Sequence, residues 1–348
     1  MAAGRRTGSR GRTAVAAATR RGGVFAAAAS AVGAWCGCGG AALHAFAGAA
    51  SLAEPCARAP RAQLAAGPTA AAAEAPVFTF FGINSYSLEI GGCRLLVDPL
   101  LVGELTFGEQ RWAFEGGRRA EAVAAAPAPS EVHAGFDAVV LTQGLDDHAH
   151  RPTLRLIDKR TQIIAGPSAA DVARSLGFER VTSLEPGRSV SLGALRIAAL
   201  PGSVVGPPWQ APENAYVFTD TRPGGLALGT EPHGNFLGPS LGTSLRQLPR
   251  APDIRVDALL IPLTKQEIAG YKLVNGVQDA LETLEALEPT PRIVIPLKNG
   301  ELDSTGLLAA ALKEEGSPRE FAEQLRARPR LRGTRLLDVT PGAPLRIE

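Results

Sequence analysis

The sequence predicts a layered α+β domain with two β-sheets that begins at about residue 76. Two observations predict this class. After Pro76, short β-branched and apolar runs alternate with Gly and Pro, which is typical of strands and turns. The first half of this region contains mostly hairpin patterns, whereas the second half alternates strands with helices. Neither a pure sandwich nor a purely parallel sheet fits that order, so two sheets with covering helices are expected.

The first 75 residues are predicted to be a targeting leader, which leaves 76–348 as one domain. The leader is rich in Ala and carries eight arginines against two glutamates, a net charge of +6, whereas the whole chain is +2 and the remainder is therefore −4. An Arg-rich, acid-poor start is typical of organelle transit peptides. Because the basic charge belongs to the leader, nucleic acid is not expected as a partner of the domain.

The leader favours plastid import, with a mitochondrial transit peptide as the alternative. Arg20-Arg21 precedes a stretch without charged residues from Gly22 to Ala53, which resembles a twin-arginine signal for the thylakoid lumen. The stretch is long enough to cross a bilayer, but it is dominated by Ala and Gly, so weak membrane retention is expected, with a retained membrane anchor as an alternative. Stable membrane insertion of the mature domain is not expected. Three of the four cysteines lie in the leader, so the domain has neither an internal disulfide nor a thiolate zinc cluster.

The predicted elements of the domain follow from the hydrophobic periodicity and from the residues that begin and end helices and strands. Strands are expected at Val77–Phe81, Ser85–Ile90, Cys93–Val97, Ala138–Leu141, Gln162–Ala165, Leu195–Leu200, Ala215–Thr219, Leu226–Leu228, Ala258–Pro262 and Arg292–Pro296. Helices are expected at Ala169–Leu176, Val277–Leu287, Thr305–Glu314 and Pro318–Arg326, the last capped by Ser317. The segment 112–135, with its Ala run and two prolines, is expected to be an irregular surface insertion.

The fourth predicted strand runs straight into a polar loop, a place where functional side chains are often held. The loop resembles the metallo-β-lactamase superfamily, whose pattern here is Ser/Thr-His-x-His-x-Asp-His. Thr142 matches, Gln143 and Leu145 replace the two leading histidines, and Asp147 and His148 are kept. The Gln-x-x-x-Asp-His spacing is similar to a plastid and cyanobacterial branch of that superfamily.

Three further segments carry the resemblance, which spans roughly residues 77 to 300. Residues 81–85 and 95–99 resemble the opening hairpin of the family. Glu231 falls where the family has its bridging carboxylate, and Lys298 or Asn299 falls where the final histidine ligand is expected. The resemblance implies a four-layer αββα sandwich.

The resemblance also implies two metal positions, of which the first is predicted to be lost. In the family that position uses the two leading loop histidines and a third histidine later in the chain. Gln143 is a poor neutral ligand, Leu145 is none, and residues 200–205 offer no histidine. The domain is therefore expected to hold at most one metal ion.

The second position keeps enough ligands for one ion, with zinc as the expected metal. Asp147, His148 and Glu231 supply three ligands, and His233 or His150 completes the set. Three protein ligands with an open position are typical of catalytic zinc sites. The ion would activate water against an ester, lactone or phosphodiester.

Two residues outside the ligand set have predicted roles in such a hydrolase. Asp146 is expected to act with Asp147 in catalysis by orienting the water or taking its proton. Trp209 lies in a loop that, by the resemblance, borders the cleft, and it is expected to contact a small-molecule substrate.

The alternative hypothesis is a binding or assembly module that uses no metal. If Lys298 points into the site, its ammonium neutralises Asp147 and Glu231 without an ion. The cleft would then bind a ligand or partner without turnover. Gln143, Leu145, Lys298 and Asn299 are pocket residues under either hypothesis.

Overall fold

The computed structural model describes residues 72–203, 213–234, 255–268, 270–297 and 301–348. Most of the predicted leader lies outside these ranges. Strands are numbered β1 to β20 and helices α1 to α7 in chain order within the described part of the chain. None of the helices found there is long and apolar enough to cross a membrane.

The first sheet combines three antiparallel strands with a parallel set. Its strands are β1 (Val77–Gly82), β2 (Ser85–Ile90), β3 (Cys93–Val97), β6 (Ala138–Leu141), β7 (Gln162–Ala165), β8 (Val181–Ser183) and β20 (Leu345–Arg346). Their spatial order is β20-β1-β2-β3-β6-β7-β8. The pairs from β3 to β8 are parallel, so the carboxyl ends of these four strands meet at one edge.

The second sheet has the same mixture. Its strands are β9 (Ser189–Leu192), β10 (Leu195–Pro201), β11 (Asn214–Asp220), β12 (Ala227–Thr230), β13 (Ala258–Pro262), β16 (Ile293–Leu297) and β19 (Arg335–Leu336). Their spatial order is β19-β16-β13-β12-β11-β10-β9, with β12, β13, β16 and β19 parallel. Two three-stranded sheets complete the strands: β4 (Leu105–Thr106), β5 (Glu115–Arg118) and β17 (Leu302–Thr305), then β14 (Lys265–Ile268), β15 (Tyr271–Val274) and β18 (Leu312–Glu315).

Helices cover the outer faces of the two large sheets. They are α1 (Ala120–Ala124), α2 (Pro129–Ala134), α3 (Arg151–Leu154), α4 (Pro167–Ser175), α5 (Val277–Ala286), α6 (Leu307–Ala311) and α7 (Pro318–Ala327), followed by a 3-10 turn at Pro329–Leu331. Apolar residues of α2, α3 and α4 pack on the first sheet, and those of α5 and α7 pack on the second. Between the sheets lies a third apolar cluster, which includes Phe78, Tyr86, Ile197 and Phe218. The predicted four-layer αββα sandwich is confirmed.

Most predicted strands are found within one or two residues of their expected bounds, but two segments were predicted wrongly. The helix expected at Thr305–Glu314 is only the short α6, and its second half is strand β18, because residues 312–315 pair with β14. Residues 112–135 are not irregular: they contain β5, α1 and α2, and Val132 is buried in the core. The cap is confirmed, since the Ser317 hydroxyl accepts from the Glu320 N–H at 3.2 Å.

Side chains under one edge of the sandwich tie the two sheets together. The hydroxyl of Tyr216 on β11 donates to the carbonyl of Leu141 at the end of β6 (3.1 Å), and the backbone N–H of Asn214 donates to the carbonyl of Thr142 (3.1 Å). The Tyr86 hydroxyl on β2 donates to Thr230 Oγ1 on β12 at 3.2 Å. These contacts fix the loops that leave this edge relative to one another.

Candidate metal centre

The candidate site lies where strands of both large sheets end. The carboxyl ends of β3, β6 and β12 lead directly into Asp98, Thr142 and Glu231, and the amino end of β11 follows Glu213. In sheets with parallel strands, polar side chains often gather at the carboxyl edge. The loops that follow the strands carry these side chains, and the packed strands hold the loops in place. Six ionisable side chains from four segments meet at this edge: Asp98, Asp147, His148, Glu213, Glu231 and His233.

His148 is held from one side by Asp98. Nδ1 of His148 lies 2.8 Å from Asp98 Oδ2, and Thr142 donates both its N–H (2.8 Å) and its hydroxyl (2.6 Å) to the same carboxylate. Asp98 adopts a positive φ of 41°, a strained backbone for this residue type, and the Ser85 hydroxyl donates to its carbonyl at 2.8 Å. A carboxylate at Nδ1 favours the tautomer whose Nε2 carries a free lone pair.

The opposite side of the His148 ring faces two more carboxylates. Nε2 lies 3.1 Å from Asp147 Oδ2 and 3.2 Å from Glu213 Oε1. His148 and Glu213 are fully buried, while 15% of the Asp147 side chain is exposed. Asp147 is therefore the member of this group that solvent reaches.

The second histidine of the site, His233, joins the cluster through two glutamates. Its Nδ1 lies 2.7 Å from Glu213 Oε2, and its backbone N–H donates to Glu231 Oε2 at 3.0 Å. The other oxygen of Glu231 accepts from the backbone N–H of Ser203 at 3.1 Å. The rings of His148 and His233 lie 5.1 Å apart between centroids.

The donor set fits a metal ion. Two overlapping groups, Asp147–His148–His233 and Glu213–Glu231–His233, each have ligand atoms within 4.8 Å of one another. Asp147 Oδ1, His148 Nε2 and Glu213 Oε1 are buried and have no hydrogen-bond partner among the described residues. Buried polar atoms of this kind require a partner, and imidazole with carboxylate is a common ligand combination for divalent metals.

The electrostatics of the cluster favour added positive charge. Burial alone would lower the pKa of His148, but Asp147, Glu213 and Asp98 raise it well above its usual value. Burial would likewise lower the pKa of His233, and Glu213 raises it. Burial would raise the pKa of Asp147, yet the two imidazoles hold it below its usual value. Even with both imidazoles protonated, the four carboxylates of the cluster, Asp98, Asp147, Glu213 and Glu231, outweigh them by two charges.

Two predicted candidates lie outside these close groups. Asp146 accepts from Arg151 at 2.7 Å through Oδ1 and from the Gly108 N–H at 3.1 Å through Oδ2, so both of its oxygens anchor the loop. His150 is buried with Nδ1 at 2.9 Å from Thr153 Oγ1, and burial lowers its pKa to about 4. In the part of the chain that the structure describes, neither belongs to a group of converging ligand atoms.

The remaining predicted pocket residues divide between the loop and the undescribed segments. Gln143 is buried, and Leu145 is half-buried with its carbonyl accepting from the N–H groups of His148 (3.0 Å) and Ala149 (2.7 Å). Leu145 thus closes the turn that carries His148. Lys298, Asn299 and Trp209 lie outside the described residues.

Sequence reasoning missed Glu213, and it included Asp98 only as part of the segment that resembles the opening hairpin of the family. Glu213 has no local motif, because its position in the site depends on the pairing of 202–203 with 213–214. The one available signal was a charged side chain directly before the strongly apolar strand β11. Asp98 could have been recognised only through its contact with a loop that follows 44 residues later.

Comparisons with known proteins agree with this architecture. A family model described as the beta-lactamase superfamily domain matches residues 77–298. No curated protein matches the sequence. Among solved structures, an isothiocyanate hydrolase from Delia radicum gut bacteria aligns with a TM-score of 0.53 and 18% identity, covering 78% of this chain and 98% of its own.

Two further structures share the fold at low identity. A possible metal-dependent hydrolase from Veillonella parvula aligns with a TM-score of 0.56 and 15% identity over 79% of this chain and 100% of its own. CmlA, a diiron β-hydroxylase from Streptomyces venezuelae, aligns with a TM-score of 0.54 and 18% identity over 79% of this chain and 54% of its own. The family match covers more than half of the sequence, and the fold and the clustered histidines and carboxylates agree with it: the chain belongs to the metallo-β-lactamase-like members of the beta-lactamase superfamily.

Proposed function

We propose that the protein is a hydrolase that uses one divalent metal ion, with zinc as the expected ion. Asp147, His148, Glu231 and His233 would hold it. The observation that carries the proposal is the buried Nε2 of His148, which faces carboxylate oxygens of Asp147 and Glu213 at 3.1 and 3.2 Å without hydrogen-bond geometry, while Nδ1 is fixed by Asp98. A histidine oriented by an outer carboxylate and left with an open nitrogen is typical of metal sites in proteins.

The residues of the site have two proposed roles: some would hold the ion, and others would take part in the reaction. A bound divalent ion would supply Lewis acidity, which lowers the pKa of water and polarises a substrate oxygen. Asp147 is the partly exposed member, so we place the substrate on its side of the site, with this carboxylate as the group that would exchange a proton there. Asp146, which was predicted to share that role, is instead assigned to anchoring the loop through Arg151 and Gly108.

The charge of the cluster narrows the substrate class to neutral esters or lactones. Asp98, Asp147, Glu213 and Glu231 are buried or largely buried carboxylates, and one divalent ion would leave them with an excess negative charge when the imidazoles are neutral. That excess repels a phosphodiester anion, whereas an uncharged acyl substrate does not meet it.

A turnover assay tests the proposal. The full chain, purified without a metal-binding tag and loaded with ZnCl2, is assayed with p-nitrophenyl acetate, a γ-lactone and bis-p-nitrophenyl phosphate. We expect metal-dependent hydrolysis of the first two, abolished by chelator and by Asp147→Asn. Asp171→Asn is the matched control, because Asp171 is an exposed carboxylate on α4 paired only with Arg174 among the described residues.

The metal-free binding module predicts the opposite result. In that hypothesis Lys298 supplies the positive charge, so chelator changes nothing and no substrate is turned over. Absence of turnover by the zinc-loaded chain, or turnover that persists in chelator, would overturn the hydrolase proposal.

A further inference from the structure

Glu213 enters the site from a position that the family pattern does not use. Its backbone N–H donates to the carbonyl of Ser203 at 2.6 Å, and its carbonyl accepts from the N–H of Gly202 at 3.0 Å. These bonds extend the β10–β11 ladder by one step beyond the Pro201–Asn214 pair. The carboxylate is therefore held by sheet pairing, which makes its position as firm as that of a strand residue.

The backbone at this point leaves no room for a side chain opposite Glu213. A Cβ on Gly202 would lie 2.8 Å from the Glu213 carbonyl oxygen and 2.9 Å from the Ala215 nitrogen. A glycine here permits the close approach that brings Glu213 against the cluster. The residues paired with it, Gly202 and Ser203, belong to the stretch 200–205 in which a third histidine ligand is expected and missing.

The two oxygens of Glu213 face the two imidazoles in different ways. Oε2 lies 2.7 Å from His233 Nδ1 in hydrogen-bond geometry, which accounts for that oxygen. Oε1 lies 3.2 Å from His148 Nε2, yet both atoms are buried without a hydrogen-bond partner among the described residues. A cation between the two atoms satisfies both: either a proton on Nε2, or a metal ion, which would also serve the buried Asp147 Oδ1.

We infer that Glu213 is a ligand of the proposed metal ion and replaces the missing histidine from across the β10–β11 pair. The inference rests on the proposed single-metal site. With Glu213 as a ligand, the site contains two imidazoles and several carboxylates in place of the histidine-rich set of the family. Carboxylate oxygens suit Mn²⁺ better than imidazole does, so Glu213 lowers the preference of the site for Zn²⁺ over Mn²⁺.

Calorimetric titration of the metal-free full chain with ZnCl2 and with MnCl2 tests the inference. Glu213→Gln keeps the shape of the side chain and removes its charge. Glu213→Asp keeps the charge but shortens the side chain, which moves the carboxylate away from the imidazoles. We expect both variants to bind each ion at least about 10-fold more weakly than the unsubstituted chain. Glu282→Gln, an exposed glutamate on α5, is the control and should bind as the unsubstituted chain does.

A third variant separates a ligand from a positioning residue. Glu213→His replaces the oxygen donor by imidazole, so a ligand role predicts a higher ratio of the Mn²⁺ Kd to the Zn²⁺ Kd. An unchanged ratio means that Glu213 only positions His233 and overturns the inference. Thermal unfolding of each metal-free variant confirms that it is folded before titration.

The outcomes distinguish this inference from the proposed function. If the unsubstituted chain binds neither ion, the single-metal site and the Glu213 inference fail together. If the chain binds metal and Asp147→Asn abolishes binding while Glu213→Gln and Glu213→Asp do not weaken it, the hydrolase proposal survives and the role of Glu213 is refuted.

Discussion

The two halves of the loop after β6 differ in the chemistry they retain. The first half carries Gln143 and Leu145, and the Leu145 carbonyl serves the turn by accepting two backbone N–H groups. The second half carries Asp147 and His148, which meet His233 within 4.8 Å. The contrast shows that contacts with other segments organise the second half of the loop into a cluster of ligand atoms, whereas in the first half the Leu145 carbonyl serves the turn itself.

Support from the sheets explains which half kept its ligands. His148 is oriented by Asp98 from the end of β3 and faces Glu213 at the start of β11. Replacing His148 or one of these carboxylates leaves a buried charge unpaired, which lowers the stability of the folded protein. Gln143 and Leu145 are neutral, so the first half stays stable without a cation.

The largest expected effect is loss of the metal on Asp147→Asn. The substitution removes a ligand charge without changing volume, and we expect metal affinity to fall by more than the roughly 100-fold that loss of an outer hydrogen-bond partner can reach. Gln143→Ala, in the other half of the loop, should leave metal affinity unchanged. Calorimetric titration with ZnCl2 measures both, and equal losses in the two variants would erase the contrast between the halves.

A smaller loss of affinity is expected for Asp98→Asn. The amide cannot accept from both Thr142 and His148 as the carboxylate does, so the imidazole is less firmly oriented and metal affinity should fall about 10- to 100-fold. Asp137→Asn is the matched control: its carboxylate accepts from the Arg94 N–H at 2.8 Å, at the opposite end of β6. An unchanged affinity in Asp98→Asn would show that His148 needs no orientation.

Restoring the lost half of the loop should sharpen the comparison. The double variant Gln143→His and Leu145→His returns two imidazoles to the first position without the third histidine. We therefore expect a second zinc equivalent that binds more weakly than the first. Metal-to-protein ratios by elemental analysis at two zinc concentrations measure it, and a ratio that stays at one would mean that the first position has lost more than its ligands.

The smallest expected effect concerns stability. Tyr216→Phe removes the hydroxyl that donates to the Leu141 carbonyl beneath the loop and also accepts from Asn214 Nδ2 at 3.1 Å. We expect the free energy of unfolding to fall by about 1–2 kcal/mol. Denaturant unfolding of the metal-free chain measures it, with Tyr271→Phe, an exposed tyrosine on β15, as the control.

The fold could be predicted from the sequence because its strands are short apolar runs, and such runs are recognisable locally since they must be buried in the core. β2, β3, β6, β7 and β13 have the bounds expected from those runs. The wrong prediction at Thr305–Glu314 arose because an alanine-rich helical pattern continues into residues that pair with β14. Pairing between distant segments is a tertiary property that local pattern does not contain.

The candidate site was predictable only where the residues are adjacent in sequence. Asp147, His148, Glu231 and His233 come from two short segments whose pattern resembles the family, and the structure brings these segments together. Glu213 and Asp98 act through contacts between segments that are distant in sequence, with 50 residues between Asp98 and His148 and 20 between Glu213 and His233, so no spacing rule points to them.

The measurement that tests the central claim most directly is the metal content of the purified full chain. Zinc, manganese and iron are counted per chain by elemental analysis after expression without a metal-binding tag, with Asp147→Asn and Asp171→Asn prepared in parallel. The account predicts about one divalent ion per chain, lost in Asp147→Asn and retained in Asp171→Asn. No metal above background, even after ZnCl2 is supplied to the folded chain, would contradict it and favour a cleft neutralised by Lys298.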